Sequence, residues 1–519
     1  MEAATGRGLS RVQVRVNTNN PTAGTPPPVP YPWQAMTDAD GRYEINGIPA
    51  GSYAITATKQ NYVRSAFGAE RVEGPGKRMT LTDGQVLDKI DLRLARTGAV
   101  AGKIVDEFGD PVTDVSVMAM RYQYIQGSRR LMQTGRGGST NDIGEYRIYG
   151  LTPGQYYVSA TLRNLSAMPG DTVDRSSYAA TFYPGTANLG DAQRLTIAPG
   201  LTATAINVAL LPIQAARVSG TAVDATGKPL SNVMLNVVQR VGSAMVSNSA
   251  RPIQEGKFTL SLTPGDYYLR VFGPGTDSAT TELTVNGADI DDVQLMVTKP
   301  SIIRGRIAFT ASATSTAPPR PTAVDLAAIR DWMVGQQVRN PAKINDDGTF
   351  EISLQPGHVL LRGAMSGPPP GDAGVPWRLN RVLQNDLDVS DSGLDVIADA
   401  TIENVVVEMT NRSSPVSGRV TDAEGKTVRD CFVIVFAQDP ARWTVQTRHL
   451  SVSRPAADDL FHTRLLAGDY YAVALNDVET NAWTDPEFLS LAREHATKFS
   501  IADGETKTID LVVTPAPVF

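Results

Sequence analysis

Peptide or ester hydrolysis needs a metal held by clustered ligands, or a nucleophile activated by a neighbouring base. The 519-residue chain has four histidines, His358, His449, His462 and His495, and one cysteine, Cys431. No histidine stands in a His-Glu-x-x-His or His-x-x-Glu arrangement, and there is no Gly-x-Ser-x-Gly elbow. The run Cys431-Phe432-Val433-Ile434-Val435-Phe436 has the continuous apolar character of a buried strand, so the thiol reads as an inert core group. The residue types therefore point away from an enzyme, and no metal or cofactor is expected. Two other constellations could bind. The acidic turns Asp38-Ala39-Asp40-Gly41, Asn141-Asp142 and Asn345-Asp346-Asp347-Gly348 resemble fragments of calcium loops. An EF-hand loop also needs an oxygen ligand at its first position and a bidentate Glu at its twelfth. Met36 and Gly47 fill those places in the first turn, which favours plain hairpin turns. Tyr122, Tyr124, Arg129, Arg130 and Arg136 form a basic, aromatic hairpin. It reads either as a solvated hairpin or as a site for an acidic glycan or a partner's carboxylates.

The elements that position these residues are set by a turn written five times. Its copies are Ile48-Pro49-Ala50-Gly51-Ser52-Tyr53, Leu151-Thr152-Pro153-Gly154-Gln155-Tyr156, Leu262-Thr263-Pro264-Gly265-Asp266-Tyr267, Leu354-Gln355-Pro356-Gly357-His358-Val359 and Leu465-Leu466-Ala467-Gly468-Asp469-Tyr470. Where Pro is present it presets φ for the turn, and Gly accepts the positive φ that other residues resist. The following strand alternates, so its aromatic and every second residue share one core. The glycines are spaced by 103, 111, 92 and 111 residues, which are domain lengths rather than solenoid lengths. Five all-β modules follow, at 1–95, 96–213, 214–300, 301–412 and 413–519, the fourth being the most divergent. One helix is expected, from the N-cap Asp485, Pro486 at N1 and the acid Glu487, in the region 485–498. The junctions 94–104 and 409–420 are short and not Gly/Ser-rich, so the modules are expected to keep a fixed relation, as an extended rod.

Composition sets the outer bounds. Hydrophobic residues make up 41% and charged residues 20%, a normal globular balance. The net charge of −6 argues against a nucleic-acid or anionic-membrane partner. No apolar run approaches the ~20 residues of a membrane span. Met1-Glu2-Ala3-Ala4 has neither the charged nor the apolar region of a signal peptide.

Three motifs occur together in the second module: Gly102 to Val112 (Gly-x-x-x-Asp, then Gly-x-Pro-Val), Asn141 to Tyr146, and Leu151 to Tyr156. In this combination the chain resembles the carboxypeptidase regulatory-like domain family, clearly in modules one, two, three and five and weakly in four. The resemblance implies transthyretin-like, seven-stranded β-sandwiches with no peptidase activity of their own. It also implies an extracellular or bacterial-surface location, where long chains of such domains are usually found. Internal Lys–Asn cross-links occur in related adhesin domains, but no Lys-Glu-Asn trio can be picked out here.

Module one departs from the others. Four modules open on an apolar-x-Gly-x-apolar strand: Val100 to Ile104, Val218 to Ala222, Ile303 to Ile307 and Val416 to Val420. Module one starts where that strand should already have ended, at Thr5-Gly6 and Leu9, followed by Val12, Val14 and Val16. A sandwich lacking an edge strand exposes unpaired backbone beside an open core. The sequence being a fragment, a local segment such as the Pro-rich loop 21–32, or a strand from another copy would each close it. The expectation that follows is a structural or adhesive surface protein that pairs with copies of itself along the 5–16 edge into a head-to-tail filament. The alternative is an accessory protein of the bacterial envelope that holds glycan or peptide.

Overall fold

The computed structural model describes the chain apart from residues 18–32, 70–71, 75, 126, 163–175, 242–243, 254, 274–275, 312–319, 334–335, 366–376, 445, 457, 477 and 518–519. The Pro-rich loop 21–32 lies outside the described residues. What is described is almost all strand, arranged in seven sheets. The one α-helix among the described residues is Pro486–Ala492, within the expected region. Asp485 caps it, its Oδ1 accepting the Glu487 N–H at 2.8 Å.

A common wiring recurs. Each opening strand pairs antiparallel with the strand before the turn and parallel with the strand that ends the repeat. Gly98–Val105 lies between Glu145–Leu151 and the short closing strands Thr202–Ala203 and Val208–Ala209. Ala216–Val223 lies between Lys257–Leu262 and Ile290–Met296. Ser301–Thr310 lies between Thr349–Leu354 and Thr401–Thr410. Ser414–Thr421 lies between Leu460–Leu465 and Leu511–Pro515. In the third repeat this three-stranded sheet faces a four-stranded one, and Val218, Leu235, Tyr267, Leu269 and Leu295 pack between them. Seven strands in two layers is the sandwich the family resemblance implies.

The recurrent glycine of the opening strands has a steric cause. A Cβ on Gly102, Gly220, Gly305 or Gly418 would lie within about 2 Å of a carbonyl of the closing strand (Ile206, Val293, Val405 and Ile509 respectively). Only Gly lets the parallel neighbour come this close. The turn motif is explained as readily. The Tyr156 hydroxyl donates to the Thr152 carbonyl at 2.6 Å, Tyr267 to Thr263 at 2.7 Å, Tyr470 to Leu466 at 3.0 Å and Tyr53 to Pro49 at 2.8 Å. The aromatic thus fills the core and ties down its own turn. Gly154, Gly265 and Gly468 have φ of 155°, 151° and 157°, inside the range that favours glycine.

The acidic turns spend their oxygens on their own backbone. Asp38 Oδ1 accepts from Asp40 N and Arg42 N, and Asn141 Oδ1 accepts from Ile143 N and Glu145 N. Hydrogen-bonded hairpin turns account for them. Cys431 is buried among Val433, Phe461 and Val416, and burial pushes its thiol up to about 11.

The extended rod needs correction. The first and second repeats are pinned at their junction, where Arg96 pairs with Glu2 at 2.5 Å and Thr97 N donates to Asn61 O at 3.0 Å. But the fifth repeat also touches the first two. Arg454 Nη1 donates to the Gly76 carbonyl at 3.1 Å, and Tyr124 of the second repeat sits in an apolar cluster with Phe436, Trp443 and Phe488 of the fifth. The chain folds back because that cluster buries the hairpin's apolar tip, which end-to-end stacking would leave in water.

Candidate functional site

Among the described residues the first repeat has the second layer of the common scheme and, of an opening strand, only the stub Met1–Ala3. Gln13–Asn17 pairs with Gln34–Met36 on one side and Gly51–Thr58 on the other. Val12, Val14 and Val16 point into the core at 1–2% exposure. The 5–16 segment is therefore not the open edge. Thr5 and Gly6 belong to a turn in which Gly6 N donates to Glu2 O and Thr5 Oγ1 to Glu2 Oε2, and Leu9 packs partly buried on the core. The reason is topological: the opening strand of the other repeats belongs to the opposite layer, so the segment that follows it pairs independently of it.

The open backbone lies in that opposite layer. Residues 42–49 and 85–93 enter no β ladder, although their counterparts in the other repeats, such as Glu145–Leu151 and Lys257–Leu262, flank an opening strand. At one end Met1–Ala3 fills a stub of the missing strand's place. Leu94 N donates to Met1 O and Ala3 N to Leu94 O, in the parallel sense seen when Leu210 N meets Val105 O and Val297 N meets Val223 O. Beyond the stub the two walls face each other. The Tyr43 hydroxyl donates across to the Ile90 carbonyl at 2.8 Å. In the second repeat the Tyr146 hydroxyl donates to Ile206 O at 2.6 Å, with the opening strand in place. The same tyrosine-to-carbonyl hydrogen bond thus links the two walls in both repeats. Tyr43, Ile45, Ile48 and Ile90 are only partly buried along it.

The basic hairpin is turned inward. Tyr124 is 6% exposed, edge-to-face with Phe488 at 6.4 Å, and burial pushes its phenol up to about 12. Arg129 N donates to Asp485 Oδ2 at 2.9 Å, so the acid that caps the helix with one oxygen holds the hairpin with the other. The Arg129 guanidinium lies 4.4 Å from the centre of the Tyr122 ring, which packs edge-on against Tyr157. Arg130 Nε donates to Ser128 Oγ, and Arg136 lies over Tyr149. Among the described residues of the hairpin, these rings pack against the protein's own side chains. Sequence reasoning missed this because residues 129 and 485 are 356 positions apart. The long hairpin and the isolated helix were each legible, but nothing local paired them.

Residues 217–298, the third repeat, match the carboxypeptidase regulatory-like domain family. The comparison with curated proteins yields no match. Matches among solved structures include the Bacillus anthracis TIE protein, at 12% identity over 80% of this chain and 73% of that one, with a TM-score of 0.16. The major pilin subunit BcpA of Bacillus cereus matches at 10% identity over 80% of this chain and 99% of its own, with a TM-score of 0.16. The minor pilin GBS52 of Streptococcus agalactiae matches at 13% identity over 43% and 100%, with a TM-score of 0.18.

Proposed function

We propose that this is a non-enzymatic structural protein of five β-sandwich domains, at 1–95, 96–213, 214–300, 301–412 and 413–519, and that its first domain accepts a β-strand supplied in trans. The supporting observation is the slot between residues 42–49 and 85–93, whose walls are linked by the same tyrosine hydrogen bond that in the second repeat accompanies a paired opening strand. Strand addition suits it because backbone outside any β ladder supplies affinity while Ile45 and Ile90 supply an apolar face. A second copy of the chain is the proposed donor, since the fitting pattern apolar-x-Gly-x-apolar is written in this chain four times. A contact between unlike surfaces that does not close on itself extends into a filament, the arrangement suited to a bacterial surface.

The test is light scattering across concentration, with negative-stain imaging. Concentration-dependent, elongated oligomers that dissociate when excess peptide Ala-Arg-Val-Ser-Gly-Thr-Ala-Val (residues 216–223) is added support the reading. Peptide binding to a protein that stays monomeric would assign the slot to a different strand. Monomers that also ignore the peptide would overturn it.

A further inference from the structure

A second feature lies in the third repeat, on the outer side of its closing strand. In three other repeats a further segment covers that side. In the fourth, Arg378–Gln384 pairs antiparallel with the closing strand Thr401–Thr410. In the fifth, Gly468–Asn476 pairs with Leu511–Pro515, and in the second, Ser176–Tyr178 pairs with Pro212–Gln214, where the closing strand runs on. In the third, Ile290–Met296 ends its sheet, and among the described residues no strand pairs with its outer side. The cause is the path of the chain. After Gly357–Met365 the fourth repeat crosses to the other layer, its covering strand touching that element only at Ala364 and Arg378. In the third, Thr276–Val285 stays beside Gly265–Gly273 along its whole length.

The backbone of this edge faces outward at two positions. Ladder groups alternate in direction along a strand, and Val297 N donates inward to Val223 O while the Val293 carbonyl faces Gly220. Gln294 and Met296 therefore turn their N–H and C=O groups outward, and both residues are exposed. The stretch 293–297 carries no charge, the usual guard of an open edge. A chemical mark stands at its start. In the fourth repeat Asn385, just past the covering strand, donates its N–H to the Asn404 carbonyl at 3.3 Å, and its Oδ1 accepts from Asn404 Nδ2 at 3.1 Å. Asp292 has Asn404's place: their φ values are 61° and 59°, each at the register shift before Val293 or Val405. Asp292 is exposed, and its carboxylate only accepts, so whatever meets it must donate.

We infer that this edge binds an extended segment of another protein, running antiparallel, with an apolar residue beside Met296 and an arginine or lysine at Asp292. Met296 stands where the fourth repeat has Glu408, which pairs with Arg381 of its covering strand at 2.7 Å. The occupant here is apolar at that position because Met296 offers no charge. Two copies pairing edge to edge would set Asp292 against Met296, Thr298 or Pro300, none of them cationic. The edge and the slot of the first repeat are separate sites in different repeats.

Calorimetric titration of the full chain tests this with the peptide of residues 378–385 carrying Arg381→Leu and Asn385→Arg, which writes the expected pattern on the fourth repeat's own covering strand. Saturable binding is expected, with slowed hydrogen exchange at Gln294 and Met296. The same peptide with Asn385→Glu should bind about fivefold more weakly, the effect of reversing one cross-strand charge pair. Asp292→Asn, which keeps a residue tolerant of the left-handed φ, should narrow that difference. Gln294→Pro removes an outward N–H and leaves the inward ladder intact, so it should weaken binding about tenfold or more. The peptide of residues 216–223, aimed at the first repeat, should not compete. Absence of saturable binding, or protection outside 290–297, would overturn the assignment. So would binding unchanged in both Asp292→Asn and Gln294→Pro, with circular dichroism showing them folded. Self-assembly of the chain that Gln294→Pro dissolves would also overturn it, giving the edge to a second copy.

Discussion

The first and second repeats are written to one pattern and end in different states. Tyr43, Ile45, Ile48 and Ile90 correspond to Tyr146, Ile148, Leu151 and Ile206. The second set is buried, Ile148 and Leu151 fully, whereas the first set is partly exposed. One difference bears on these residues directly: Gly98–Val105 covers the second set, and among the described residues the first has the Met1–Ala3 stub in the corresponding place. A sandwich layer is therefore finished by its neighbour strand and not by its own side chains. The same apolar residues are core in one place and a partly exposed face in the other.

The largest effect should separate the two directly. Ile148→Ala removes a fully buried side chain and should destabilise the second repeat by about 2–5 kcal/mol, while Ile45→Ala should cost the first roughly half that or less. Hydrogen exchange resolved by repeat measures both; equal losses would show that the first repeat is as closed as the second. Next, Gly220→Ala drives a Cβ toward the Val293 carbonyl and should cost about 1–3 kcal/mol. The same change in the added peptide, Gly to Ala at its fifth position, should abolish its binding to the first repeat if the slot demands the geometry of the other repeats. Retained binding would mean that the slot is looser than they are.

Gly265→Val tests the turn common to both. At φ 151°, and with Gln239 Nε2 only 3.0 Å from where the new Cβ would stand, it should destabilise the third repeat by about 1–3 kcal/mol in thermal unfolding. Little change would refute the strain argument. The smallest effect is a pH control. His449 is 3% exposed, and burial, then the charge of Arg448, holds its pKa below the ordinary value, at about 4. The unfolded chain takes up that proton first, so stability present above pH ~6.5 is lost as pH falls toward 4. The loss should be on the order of 1–3 kcal/mol in the fifth repeat and be reduced in His449→Gln. The first two repeats contain no histidine, so their difference should not change over that range.

What the sequence determined by itself was everything set by short-range rules. Alternation and the Pro-Gly-x-Tyr turn specify strands and their faces, because a few φ values and a period of two suffice. Gly102 and its counterparts disclose a close parallel neighbour before that neighbour is known. Asp485, Pro486 and Glu487 disclose a helix start, and the acids of the turns read as hairpin caps. The tertiary structure alone decided three things. It put the open edge of the first repeat at 42–49 and 85–93 instead of 5–16, since which layer a missing strand belongs to depends on pairing across the sheet. It turned Tyr124 and Arg129 inward onto Phe488 and Asp485, and so folded back a chain whose short junctions read as a rod. And it laid Arg378–Gln384 along the closing strand of the fourth repeat while leaving the outer side of Ile290–Met296 without a paired strand among the described residues. Each depends on contacts between residues tens to hundreds of positions apart, where burial of apolar area and the placing of charge are settled by the packed whole and leave no local periodicity to read.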